Sequence, residues 1–355
     1  MELWITIFQF VGALVALIII HELGHFIAAR LFKVEVEEFG IGFPPRLVTL
    51  FTVWGTKFTL NAIPLGGFVR PKGENDPNVP GGLAHASPWV RLVVLFSGPL
   101  ANLLVAAILY TTIFTRMGTP DPSQVQIVDI SENSPAAVAD LRPGDLILSV
   151  NGQEVNSTDT LSRLIASSLG ESTTITYLRG DQTGQTVLVP RLNPPPGEGA
   201  IGIVMGNPTQ PVGWFEALPS GTAAVYYHGR ALLELPMNLI RGEVAPEEGR
   251  LVGFKGMFDI YQEVREGEAF PGTPRDVNIM FFFTNITISL GLLNLFPFPA
   301  LDGGRILFTL PEILFRRRVP PEYEGLINLV GFGILLMLLL YINLQDFLSP
   351  VSIPR

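Results

Sequence analysis

Four stretches of this sequence carry no charged residue for long enough to cross a lipid bilayer as a helix, which takes about 20 residues. They contain 18, 24, 25 and 21 residues and run over 3–20, 92–115, 277–301 and 325–345. Buried core helices are the alternative, but they seldom stay apolar beyond about 14 residues. The first stretch lacks the basic start and the A-x-A site of a signal peptide, so we interpret it as a retained span. The pattern predicts a polytopic α-helical membrane protein with four transmembrane helices.

The composition argues against several other classes of protein. Charged residues make up 15% of the chain, against about 25% in a typical soluble domain, which excludes a purely soluble enzyme. The chain has no cysteine, so disulfide frameworks and cysteine-ligated zinc or iron–sulfur sites are excluded. The net charge of −9 argues against a nucleic-acid partner.

Basic residues are concentrated in the two loops that we expect on the cytoplasmic side. Seven lie between the first and second stretches, and Arg316, Arg317 and Arg318 lie between the third and fourth. Residues 115–275, by contrast, carry 11 basic and 19 acidic residues. We therefore expect a multi-pass protein of the plasma (inner) membrane, with the N terminus, this long acidic region and the C terminus outside the cytoplasm.

Within the acidic region the sequence becomes typical of a soluble α+β domain. Residues 125–130 alternate as a strand does, Ser134 precedes Pro135 as the cap of a short helix, and Asn151-Gly152 favours a hairpin turn. The string SPAAVADLRPGDLILSVNGQEV resembles a PDZ domain of the bacterial, circularly permuted kind. The resemblance implies that peptide termini bind by adding a strand at a sheet edge. A spacer domain without a ligand is the alternative.

Two further segments are expected next to the membrane. Residues 214–240 have apolar residues at roughly helical spacing but also charged ones, which favours an amphipathic helix on the membrane surface over a fifth span. Residues 34–70 contain an alternating run over 56–62 and a bend at Gly66-Gly67. We expect a short β element there, tucked against the membrane.

The sequence HELGH, residues 21–25, directly continues the first apolar stretch. On a helix His21 and His25 share a face, so both imidazoles can bind one metal ion. The carboxylate of Glu22 lies beside them, where it can accept a proton from water. A pair of surface histidines is the alternative, but polar groups inside a span are costly and usually functional. The motif predicts a metal site at membrane depth, toward the cytoplasmic side.

A catalytic zinc site needs a third protein ligand and an open position. The other histidines, His85 and His228, fall in a predicted loop and in the interfacial stretch. Asp302 is the stronger candidate, because it is the only ionisable residue between Asp276 and Arg305, where two prolines and two glycines break the third stretch. Capping the following helix is the alternative role for this aspartate.

Four strings together resemble the site-two protease family of intramembrane zinc metalloproteases, in the PDZ-containing branch of the regulator-of-sigma-E protease type. They are HELGH, IPLGGFV, SGPLAN and NLFPFPALDGG. The resemblance covers nearly the whole chain, although some relatives carry two PDZ domains and this chain has room for one.

The resemblance implies Zn²⁺ as cofactor, with His21, His25 and Asp302 as ligands and Glu22 as general base. It also implies a substrate-binding role for Gly66, Gly67, Asn102 and Asn294, and a role for Gly98, Pro99 and Asn102 in the packing of the second span near the site. The expected order is transmembrane helix 1 with the HExxH motif (1–31), a cytoplasmic-side β region (32–88), transmembrane helix 2 (89–116), a PDZ domain (120–206), a linker with an interfacial helix (207–274), transmembrane helix 3 with the LDG motif (275–311) and transmembrane helix 4 (322–348).

The motifs and the resemblance together predict a metalloendopeptidase that cleaves single-span membrane proteins within the lipid bilayer. The resemblance also implies that the PDZ domain screens the outer part of the substrate. By resemblance, the substrate is of the type of an anti-sigma factor or a signal-peptide remnant. The alternative is a membrane-anchored PDZ binding protein with a non-catalytic metal site, although a structural zinc site would need four closed ligands. A metal transporter would need several ionisable residues facing one another across the spans, which are almost lacking outside the HELGH and LDG motifs.

Overall fold

The computed structural model describes residues 2–195, 197–245, 249–267 and 273–350. The chain divides into two compact units, one formed by Met1–Ile113 and Leu218–Arg355 and the other by Phe114–Ala217. The helices are α1 (Glu2–Leu31), α2 (Pro88–Met117), α3 (Pro135–Val138), α4 (Thr158–Ala166), α5 (Trp214–Arg241), α6 (Phe254–Glu266), α7 (Arg275–Leu295), α8 (Asp302–Phe315) and α9 (Pro321–Leu348). The strands are β1 (Val36–Val53), β2 (Thr56–Pro71), β3 (Thr119–Pro120), β4 (Val125–Ile130), β5 (Leu146–Val150), β6 (Gln153–Glu154), β7 (Thr173–Arg179), β8 (Gln182–Leu188), β9 (Ile203–Gly206) and β10 (Thr209–Gln210).

Four helices, α1, α2, α7 and α9, are long and apolar enough to cross a membrane. Large apolar side chains on α9, such as Leu329, Leu340 and Phe347, are more than half exposed. Such a continuous apolar surface is unusual in a soluble monomer and suits contact with lipid. The prediction of four apolar helices is confirmed, in a chain of mixed α and β structure.

The third apolar stretch is not one continuous helix. α7 ends at Leu295 and α8 begins at Asp302, so the segment expected over 275–311 is broken into two helices where its prolines and glycines predict a break. Pro297 and Pro299 explain the break, because proline lacks a backbone N–H and disfavours helical geometry in the residue before it.

The segment expected over 207–274 contains two helices, α5 and α6, rather than one, and its residues 246–248 and 268–272 lie outside the described ranges.

Tyr261 and Val264 of α6 pack against α1 and α7 in a buried cluster. Asp346 of α9 is fully buried and accepts hydrogen bonds from the backbone N–H groups of Gly253 and Gly256 at 2.8 and 3.0 Å. The helix α6 is therefore anchored at its N-terminal end by a side chain from the last helix.

The β element after α1 is larger than expected, because β1 and β2 both bend. The segment 36–41 pairs with 67–71 on one side and with 57–60 on the other, and 46–53 pairs with the far side of β2. The result is a four-segment antiparallel sheet in which 67–71 is an edge. Among the described strands, none pairs with the outer side of that edge.

Glu38 ties the four segments of this sheet together. Its buried carboxylate accepts hydrogen bonds from Arg46 at 3.1 Å, Thr59 at 2.8 Å and Arg70 at 3.1 Å. Burial alone would raise the pKa of Glu38, but the hydrogen bonds and charges of these partners outweigh it and hold the pKa below its usual value. The sheet is thus fixed by an ionised group at the centre of its polar network.

The unit formed by Phe114–Ala217 is built on an antiparallel sheet of order β8-β7-β5-β4-β9, with β6 beside β5. Its core is apolar and includes Ile127, Leu161 and Ile175, each almost fully buried. Ser134 caps α3 by accepting a hydrogen bond from the N–H of Ala137 at 3.1 Å, as its place before a proline predicts.

Candidate metal centre

The two histidines of HELGH lie one turn apart on α1, and both side chains point to the same place. Their Nε2 atoms are 3.2 Å apart, and the rings are nearly perpendicular, at 81°. The helix continues through the motif to Leu31, so a rigid element holds both side chains. The i, i+4 spacing therefore has the geometric result that the sequence predicts.

Asp302 reaches the same place from the other end of the chain. Its Oδ2 lies 3.1 Å from Nε2 of His21 and 3.3 Å from Nε2 of His25. The N-cap of α8 is Leu301, and Asp302 is the first residue of the helix, so its carboxylate is not the helix cap. In the described part of the chain, His21, His25 and Asp302 form the group of three whose ligand atoms, all within 4.8 Å of one another, could hold a metal ion.

Glycines allow the helices to approach this closely. A Cβ on Gly98 of α2 would collide with the His25 ring, and one on Gly24 of α1 would collide with the backbone of Ser97. In the same way, a Cβ on Gly303 would collide with the carbonyl oxygen of Leu295. Small residues of HELGH and SGPLAN thus lie where α1 meets α2, and a small residue of LDGG lies where the start of α8 meets the end of α7.

The other nitrogen of each imidazole has a partner on α2. Nδ1 of His25 donates to the carbonyl oxygen of Val94 at 2.8 Å, and Nδ1 of His21 lies 3.2 Å from the Asn102 side-chain amide. These contacts orient both rings with Nε2 toward Asp302. Such outer contacts are typical of histidines that bind metal ions.

The three candidate ligands line a cavity of about 480 Å³. Glu22 also lines it, beside the sheet edge, since a Cβ on Gly67 would lie 3.2 Å from Cγ of Glu22. Gly66, Gly67 and Asn294, which the sequence interpretation assigns to substrate, line the same cavity. The cavity is therefore lined both by the edge segment 67–71 and by the candidate ligands.

Asn102 is fully buried against Nδ1 of His21 and is not among the residues that line the cavity. Its burial agrees with the packing role near the site, and its contact with substrate stays a prediction. The remaining histidines, His85 and His228, lie elsewhere, bonded to the Pro77 carbonyl and to the Tyr110 hydroxyl.

Three charged residues of the cavity were missed by the sequence interpretation. Arg70, Glu74 and Arg305 line it, and Arg305 pairs with Glu74 at 2.5 Å. Arg305 directly follows LDGG, so its position near the candidate metal centre could have been inferred from the sequence. Nothing local in the sequence around Glu74 indicates that it faces α8.

Residues 9–338 match the model of the family described as Peptidase family M50. This chain belongs to peptidase family M50. A relative from Campylobacter jejuni, named a putative zinc metalloprotease, is 32% identical over 93% of this chain and 90% of its own length. A second protein of that name, from Clostridium acetobutylicum, is 30% identical over 98% of this chain and 99% of its own length. This M50 peptidase is a zinc metalloprotease.

The unit around β4–β9 has a separate likeness among solved structures. The PDZ domain of the SdrC-like protein from Listeria monocytogenes is 28% identical, and the match covers 24% of this chain and 90% of that domain, with a TM-score of 0.21.

The residues of the candidate metal centre fit zinc. Two imidazole nitrogens and one carboxylate oxygen are the donor types of a catalytic zinc site with three protein ligands, and the fourth position would face the cavity. The chain has no cysteine to provide a thiolate.

Proposed function

We propose that this M50 peptidase hydrolyses peptide bonds inside the membrane, in the transmembrane segments of single-span membrane proteins. In this proposal His21, His25 and Asp302 hold the zinc ion and Glu22 is the general base. The observation that carries the proposal is the place of the metal centre. Both histidines lie within the apolar helix Leu3–Leu31, which is long enough to span a bilayer, and not on a soluble domain.

Each candidate residue has a defined task. When bound, zinc supplies Lewis acidity, which polarises a peptide carbonyl and makes a water molecule a better nucleophile. Glu22 would accept a proton from the attacking water and donate it to the leaving amine. Its place on α1, between the two histidines and beside Gly67, keeps its carboxylate in the cavity that they line.

The substrate helix must unwind before its backbone can be attacked, because a helix satisfies its own backbone hydrogen bonds. The edge segment 67–71 runs along the wall of the cavity, and no described strand pairs with its outer side. An extended stretch of substrate would add to this edge as a further strand. Gly66 and Gly67 leave room for it next to Glu22, and Asn294, which lines the same cavity, would donate a hydrogen bond to the extended backbone.

The arrangement in the membrane is part of the proposal. The α1, α2, α7 and α9 helices would cross the bilayer, with the metal centre toward the cytoplasmic side and both termini outside the cytoplasm. The unit Phe114–Ala217 would be an extracytoplasmic PDZ domain that screens the outer part of the substrate. The excess of acidic residues over 115–275 and the basic loops support this orientation.

The test compares wild type with Glu22→Gln, both purified in detergent. The measurements are zinc per chain and cleavage of a model single-span substrate with a short outer tail. We expect about one zinc ion in both proteins and cleavage by the wild type alone, since Gln keeps the shape of Glu but cannot accept the proton. Cleavage by the mutant at the wild-type rate would contradict the role of Glu22. Zinc in both proteins without any cleavage would favour the membrane-anchored binding protein.

A further inference from the structure

Asn102 lies on α2, fully buried between His21 and α7. Its side-chain amide is 3.2 Å from Nδ1 of His21, and its backbone carbonyl accepts a hydrogen bond from the Thr287 hydroxyl at 3.2 Å. In the structure the NH₂ of the amide faces His21, and the buried oxygen Oδ1 has no partner among the described residues. Amide oxygen and nitrogen have nearly the same shape, so the hydrogen-bonding partners decide which of the two faces the ring.

The neighbouring histidine shows which ring nitrogen must carry the proton. Nδ1 of His25 contacts the Val94 carbonyl oxygen, which can only accept, so in His25 the proton is on Nδ1 and the lone pair is on Nε2. His21 points its own Nε2 at the same place, 3.1 Å from Asp302. To bind a cation through Nε2, a neutral His21 must also carry its proton on Nδ1. It then needs an acceptor at Nδ1, and Asn102 is the group that lies there.

We propose that Asn102 is a positioning residue, which accepts the Nδ1–H of His21 through its side-chain oxygen and thereby directs the Nε2 lone pair at the zinc ion. The inference rests on the proposed ligand role of His21. A partner of this kind fixes both the tautomer and the orientation of a ligand histidine, and its loss typically costs about 10–100-fold in metal affinity.

The test measures zinc affinity by competition with a chelator for wild type, Asn102→Leu and Asn102→Asp in detergent. We expect the leucine variant, which has no acceptor, to bind zinc about 10–100-fold more weakly. The aspartate variant keeps the acceptor and should bind within about threefold of wild type or more tightly, because a carboxylate makes the ring a better ligand. Thr284→Val is the matched control, since Thr284 is a buried polar residue of α7 that bonds only its own helix in the described contacts.

Nitrogen-15 NMR of the histidines in the zinc-loaded wild type supplies a readout that does not depend on activity or on the folding of a variant. It should report a protonated Nδ1 on His21. An unprotonated Nδ1, an aspartate variant as weak as the leucine variant, or a leucine variant that binds like wild type would each overturn the role of Asn102. His21→Ala distinguishes failure of the underlying assignment, because undiminished zinc binding by that variant would instead refute His21 as a ligand.

Discussion

A single methyl group at position 98 should displace His25, one of the proposed zinc ligands. In the structure a Cβ on Gly98 would collide with Nε2 of His25 and would lie 2.6 Å from Cε1 and 2.8 Å from Cδ2 of that ring. Carbon atoms in contact normally stay about 3.5–4.0 Å apart, so the ring must move by about 1 Å. Metal–ligand distances tolerate deviations of only about 0.2 Å. We therefore expect Gly98→Ala to weaken zinc binding at least tenfold and to lower the rate of cleavage about 100-fold.

The assay measures zinc affinity, cleavage of a single-span substrate and thermal unfolding of Gly98→Ala in detergent. Gly12→Ala is the matched control, because it makes the same substitution in an apolar helix where a Cβ would meet nothing within 4 Å. Both changes gain the same helix propensity, about 1 kcal/mol. The control should behave like wild type in all three measurements. Wild-type zinc affinity in Gly98→Ala would refute the inference that α2 sets the position of His25.

Two further predictions concern the sheet edge and the unit Phe114–Ala217. Gly67→Val places its Cβ 3.2 Å from Cγ of Glu22 and adds bulk to the proposed substrate edge. Cleavage should therefore fall at least about tenfold, while zinc affinity stays unchanged. Unaltered cleavage would argue against pairing of the substrate with this edge. Burial would raise the pKa of Asp145, but hydrogen bonds from Arg179 and from the Arg142 N–H outweigh it and lower the pKa. The ionised carboxylate therefore stabilises the folded unit at pH values above the unfolded-state pKa of about 3.9. This stabilisation is lost as the pH falls below that value. The assay is urea unfolding of the full chain, followed by pulse hydrogen exchange of β5 and β7. Asp145→Asn should be less stable than wild type at pH 7, and the difference in stability should shrink toward pH 3. A difference independent of pH would show that the ionised carboxylate of Asp145 is not its source.

The features that could be predicted from the sequence are those with a local pattern. Long uncharged runs identify the four apolar helices, and the spacing of His21 and His25 places both rings on one face of α1. Asp302 was recognisable because it is an isolated ionisable residue beside helix-breaking prolines. Each of these follows from neighbours a few positions away along the chain.

Features that depend on distant contacts could not be predicted in the same way. The burial of Asn102 behind His21 depends on how α2 crosses α1, and the pairing of Glu74 with Arg305 depends on where the loop after β2 meets α8. The four-segment sheet brings Glu38 together with three partners that are spread along the chain. A local pattern carries no information about such encounters.

The position of the cut in the substrate tests the central claim most directly. The purified protein would be reconstituted in liposomes with a single-span substrate, and the two products would be measured by mass spectrometry. We expect one cut inside the apolar segment of the substrate, toward its cytoplasmic end, and no such product with Glu22→Gln. A cut only in the soluble tails of the substrate would contradict proteolysis within the membrane.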